Sequence, residues 1–297
     1  MVKVISIPRL NDSPADFEKL FAIWSQVNDY FEDVQFDFSQ CDFLRSNAVV
    51  FFGGLSRLIE SRYGTVTFEW DTLKNEKVRS YLCQNSFVEI INQVNIPFLK
   101  LLNSSTCIPY REDKIQDMNA IMDYLTDDWL GRCWIQVNQA LKDAISGYVW
   151  EIYANAFEHA GSAIGVFSCG QYFPKKNALI LSVIDFGQGI VANVRNFLSA
   201  DPRAEHLTAA GCLRWAFKKG STTRLGISRG MGLKLLKEFI CLNQGKLEVY
   251  SNEGYALINK DGEHFENRSS SFEGTIFHIT LRCDEKIYKL AYEEPPF

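Results

Sequence analysis

The chain has 297 residues, 46% of them hydrophobic and 23% charged, a length that makes two domains the expectation. Its formal charge of -5 excludes a broadly basic surface, so nucleic acid is not indicated as a partner, although a local basic patch can hide inside an acidic total. MVKVISIPRL lacks an apolar leader core, and no stretch reaches the roughly 18 to 20 apolar residues needed to span a bilayer, so the reading is a soluble, cytoplasmic protein with no membrane partner. The eight cysteines are scattered with no CxxC pair, which points to free thiols.

VKVISI reads as a strand, and Ser13-Pro14-Ala15-Asp16 as a helix start with proline at the first position. Phe17, Leu20, Phe21, Trp24 and Val27 then fall at three- and four-residue spacing, one buried helical stripe. VQFDF is a second strand, Ser46 to about Tyr63 an apolar helix ending at Gly64, TVTFEW a third strand, and Lys77 to about Ile91 another helix. Strands alternating with helices predict an α/β layer over residues 1–105. QVNIPFLKLLNSSTCIPYRED carries prolines and a polar run suited to a connector, and a helical connector is expected over 106–140.

Residues 141–285 read as an α+β domain with a largely antiparallel sheet, followed by a tail over 286–297. A helix from about Val137 to His159 precedes strands at GSAIGVFSCG, ALILSVID, GKLEVYS and GTIFHITL, with another helix near Gly232 to Leu242.

Four short motifs lie in this half. Glu151, Asn155 and His159 are four residues apart and share a helical face. There Asn155 offers a neutral oxygen to Mg²⁺ and Glu151 can accept a proton, although a solvated polar face has the same spacing. Asp185-Phe-Gly187-Gln-Gly189-Ile190 follows an apolar strand, so a carboxylate at the strand end can meet an exocyclic amine while the glycines let the backbone turn closely. A plain tight turn fits the same residues. Gly226-Ile-Ser-Arg-Gly230-Met231-Gly232-Leu233 runs into a helix, where exposed N–H groups suit a polyphosphate. The fourth is Gly274-Thr275 at the start of a strand.

The joint occurrence and order of these motifs, from about Asp143 to Leu281, resembles the GHKL superfamily of gyrase, heat-shock chaperone, mismatch-repair and histidine-kinase ATPases. That resemblance implies a Bergerat two-layer sandwich binding ATP and Mg²⁺. Asp185 would hold the adenine amine, Gly187 and Gly189 would shape the base pocket, Thr275 would lie beneath it, and Asn155 would coordinate Mg²⁺. Gly226, Gly230, Met231, Gly232 and Leu233 form the matching phosphate segment, and Glu151 would be the general base. Thr222-Thr223-Arg224 resembles the end of a mobile lid, with Arg224 able to neutralise γ-phosphate charge; a surface lysine-arginine run including Lys218 and Lys219 is the alternative. His159 fits a helix-face or phosphate-shell residue. No histidine precedes it, which argues against a self-contained sensor histidine kinase.

The run from Phe36 to Ala48, followed by the apolar helix, Gly64 and a strand, is similar to the STAS domain of anti-sigma-factor antagonists. In that family the loop entering the helix carries a phosphorylated serine or threonine; here Asn47 falls at that position, with Ser46 beside it and Ala48 in place of the usual glycine. Ser46 is read as the helix N-cap. The combination implies an ATPase whose nucleotide state switches a protein partner or homodimer surface. A serine/threonine kinase of anti-sigma-factor type and a non-catalytic ATP-binding scaffold are the alternatives.

Overall fold

The computed structural model describes residues 2–93, 106–218 and 231–290. It contains a three-stranded parallel sheet and a seven-stranded antiparallel sheet.

The small sheet joins β1 (Lys3–Ser6), β2 (Val34–Asp37) and β3 (Val66–Glu69) in that order. Parallel strands need crossovers, supplied by α1 (Pro14–Gln26) and α2 (Ser46–Ser61). The Asp16 carboxylate accepts from the Ser13 N–H at 3.3 Å and the Ser13 hydroxyl at 2.5 Å, fixing the start of α1. Arg45 takes the cap position of α2, and Ser46, expected as the cap, is instead its first residue and only 1% exposed.

The helix expected from Lys77 to Ile91 is two helices, α3 (Glu76–Gln84) and α4 (Phe87–Asn92). The break lies at Asn85, whose side chain accepts from the Phe87 N–H at 3.0 Å and whose carbonyl accepts from the Tyr110 N–H at 2.7 Å. Ser86 turns the chain with φ of 66°.

The large sheet runs β4 (Cys107–Asp113), β5 (Val166–Phe173), β6 (Ala178–Asp185), β10 (Thr275–Arg282), β7 (Lys246–Ser251), β8 (Gly254–Asn259) and β9 (Gly262–Asn267). β4 lies within the stretch expected as a helical connector over 106–140, where no strand was expected. Its Pro109 is compatible with an edge strand, and the β4–β5 register shifts between Ile108 and Arg111. Within the same stretch the chain continues into α5 (Met118–Asp123) and a π-helical turn over Tyr124–Trp129.

Alternation along the strands sends side chains to two cores. Leu181, Val183, Val249 and Ile279 face one side, against α6 (Gln139–His159), α7 (Gly189–Phe197), α8 (Ala209–Ala216) and α9 (Met231–Asn243). Phe167, Ile184, Tyr250 and Ile276 face the other and share a core with α1 and α2. α2 therefore lies between two sheets, which explains why it is apolar nearly all round. Its Gly53 and Gly54 permit that approach: a Cβ would overlap the Tyr110 ring at Gly53 and the Phe186 ring at Gly54.

Candidate functional site

On the helical side of the large sheet is a cavity of about 600 Å³. Its first wall is α6, which starts where the Asn138 side chain accepts from the Leu141 N–H at 3.0 Å and reaches His159 in 21 residues. Ile152, Tyr153 and Ala156 anchor one face of α6, and Tyr153 meets the Ser168 hydroxyl of β5 at 2.6 Å. The turn of the helix that this anchoring leaves outward carries Trp150, Glu151, Asn155 and His159 into the cavity wall.

The floor is the end of β6. Asp185 is 4% exposed, lines the cavity and accepts from the Gly187 N–H at 2.9 Å. Burial pushes its carboxyl up from the usual range to about 7, against hydrogen bonds from Gly187 and from the backbone and hydroxyl of Thr275. Thr275 is the direct ladder partner of Asp185 on one side and of Ser251 on the other, and its hydroxyl lies 3.1 Å from Ser251 Oγ. The residue before it, Gly274, has φ of 135°, and a Cβ there would run into the Asp185 carbonyl.

The two glycines after Asp185 have different surroundings. Gly187 is not among the cavity-lining residues; a Cβ on it would strike the Ala160 carbonyl, which also accepts from the Gln188 N–H at 2.8 Å. That contact ties the turn to the end of α6. Gly189 lines the cavity and opens α7 with φ of 81°, where the Asn252 side chain leaves no room for a Cβ. The Ile190 N–H donates to Ser251 Oγ at 2.7 Å, and Ser251 donates to the Gly274 carbonyl at 3.0 Å.

Glu151, Asn155, His159, Asp185, Gly189, Ile190 and Thr275, drawn from three of the four motifs, thus meet around one cavity. Arg224, Gly226 and Gly230, with Lys219, Thr222 and Thr223, lie outside the described residues. Met231, Gly232 and Leu233 form the first turn of α9.

Sequence reasoning missed several contributors. Trp150, Trp215 and Phe217 add aromatic wall, and Asn193 lines the cavity while donating to the carbonyls of His159 at 3.0 Å and Gly189 at 2.9 Å. Ser251 and Asn252 brace the floor from the end of β7. Asn193 lies four residues after Gly189, a helical spacing that was available; nothing in the sequence around Trp215 or Ser251 marked them.

The chemistry of this set is a buried carboxylate at the bottom of a largely apolar cavity, with a carboxamide and a second carboxylate on the adjoining helix face. It suits a flat heterocycle bearing an amine, with a polar extension running toward α6. Among the described residues no lysine or arginine lines the cavity, and no group of three His, Cys, Asp or Glu side chains is placed to hold a metal unaided. Asn155 is exposed, so a hard cation there would draw its remaining ligands from water and from a bound phosphate. Among the described residues no helix is long and apolar enough to cross a membrane. No family model matches the chain, and no curated protein matches it.

Proposed function

We propose that the C-terminal half is a GHKL-type module that binds ATP with Mg²⁺ and hydrolyses it slowly. The observation that carries this reading is the meeting of Asp185 and Thr275 at the cavity floor with Glu151 and Asn155 on one face of α6. Asp185, ionised, accepts the exocyclic amine of adenine, and Thr275 holds that carboxylate in place from the neighbouring strand. Trp150, Ile190 and Val194 exclude water from the base. Asn155 would be the residue that holds Mg²⁺, which would supply the charge neutralisation that no described lysine or arginine of the cavity provides. Glu151 takes a proton from the attacking water as its oxygen bonds to the γ-phosphorus and the bridging P–O bond breaks, leaving ADP and inorganic phosphate.

The nucleotide state reaches the rest of the molecule through the turn after Asp185. Phe186, the next residue, points away from the cavity into the core shared with α1 and α2, 5.7 Å from the Phe51 ring and 5.2 Å from Phe272. A shift of this turn on binding changes the surface that the STAS-like N-terminal layer offers a partner protein or second copy. The test is to follow ATP retention and phosphate release together. Retention lost in Asp185→Asn, and release lost in Glu151→Ala with retention kept, are expected; binding that ignores Asp185→Asn contradicts the proposal.

A further inference from the structure

The large sheet has a second concavity at the other end of its strands. Asp185 pairs with Thr275 at one end of the β6–β10 ladder and Ala178 with Arg282 at the other, and around that second end three tight turns meet. They are the β5–β6 turn at Asn177, the α9–β7 turn at Gln244 and the β8–β9 turn at Lys260 and Asp261. Asn177 and Gln244 hold φ of 47° and 55°, a region that costs a side chain energy and persists where the surroundings impose it.

Together they border an open concavity of about 510 Å³ lined by Lys176, Lys246, Lys260 and Arg282, with Asp261 the one carboxylate among them. In a chain of net charge -5 this is a local reversal of sign. Arg282 is braced by the Gln244 side chain and by Asp284 at 3.7 Å, and Lys246 by Glu248 at 2.5 Å. Lys176 and Lys260 are exposed and meet no carboxylate among the described residues.

We propose that this cavity is an anion site for a small oligophosphate. Two braced cations and two ammonium groups that meet no carboxylate among the described residues match several clustered phosphate oxygens. Nucleic acid fits less well, because the cations are gathered in one concavity of small-ligand size and the acidic remainder of the chain repels a long polyanion.

Titration calorimetry of the full chain with inorganic tripolyphosphate, free of Mg²⁺ and nucleotide, tests this. The wild type is expected to show a site whose affinity falls with added salt. That site should weaken at least tenfold in Lys176→Gln/Lys260→Gln and vanish in Lys176→Glu/Lys260→Glu, with thermal melts matching wild type because both side chains are exposed. An isotherm without binding, one unchanged in the Glu variant, or binding confined to long single-stranded oligonucleotides would overturn the proposal.

Discussion

Gly54 of α2 lies against the ring of Phe186, the residue that follows Asp185, with no room for a methyl group between them. The floor of the cavity and the N-terminal layer are therefore in direct contact through one turn of chain. Gly54→Ala adds about 1 kcal/mol of helix propensity, but overpacking a filled core costs about 1 to 3 kcal/mol. The net expectation is a loss of between about 0 and 2 kcal/mol. Chemical denaturation measures it, and a raised stability would contradict the close packing.

The Asp185 carboxyl, pushed up to about 7 by burial, gives a pH dependence with a definite sign. Its ordinary value is 3.8, so the folded chain binds this proton more tightly than the unfolded chain. The stabilisation is fully present below about pH 4 and is lost as pH rises through 7, amounting to about 4 kcal/mol over that window. The proposed contact with adenine, in contrast, needs the ionised form. ATP affinity is expected to rise about fivefold between pH 6 and 7, about tenfold between pH 6 and 8, and to level off above pH 8, as read by equilibrium binding at constant ionic strength. A flat profile contradicts the role given to Asp185.

Thr275 joins that carboxylate to Ser251. Thr275→Val keeps the volume but removes a donor that lowers the Asp185 pKa, so the carboxyl moves further up. The expected result is a loss of about 1 kcal/mol in stability and ATP binding that is weak at pH 7 but recovers near pH 9. Binding equal to wild type at pH 7 would contradict it.

Ser46 and Asn47 are each 1% exposed, where a STAS-like loop would present a phosphate acceptor. Asn47 donates to the Asn11 carbonyl at 2.9 Å, and Arg45 pairs with Asp12 at 3.0 Å, closing the loop down. Ser46→Glu forces a charge into this space and is expected to cost at least about 2 kcal/mol in a thermal melt. An unaffected melt would show that the loop opens readily.

Much of this fold was legible because local pattern and final environment agree. The stripe from Phe17 to Trp24 and the run ALILSVID became a buried helix face and a central strand, and Asp185 stands where the apolar run stops. β4 was not legible because its stabilisation comes from β5, distant in sequence, and its proline fits an edge strand. The β8–β9 hairpin was hidden for another reason: GEHFEN is polar on both faces and alternates too little to stand out. Glu151, Asn155 and Asp185 could be picked out by residue type and spacing, Thr275 only by its place in the order of the four motifs. Trp150, Trp215 and Ser251 reach the cavity only through the packing of α6, α8 and β7, which spacing within one segment does not encode.

Whether the cavity above Asp185 holds ATP, as proposed, is decided by equilibrium dialysis of the full chain with labelled ATP and Mg²⁺ at pH 8, in parallel with Asp185→Asn. Saturable binding of one nucleotide per chain, displaced by ADP and weakened at least tenfold in the variant, is expected. No saturable binding by the wild type, or equal binding by the two proteins, would overturn the proposal.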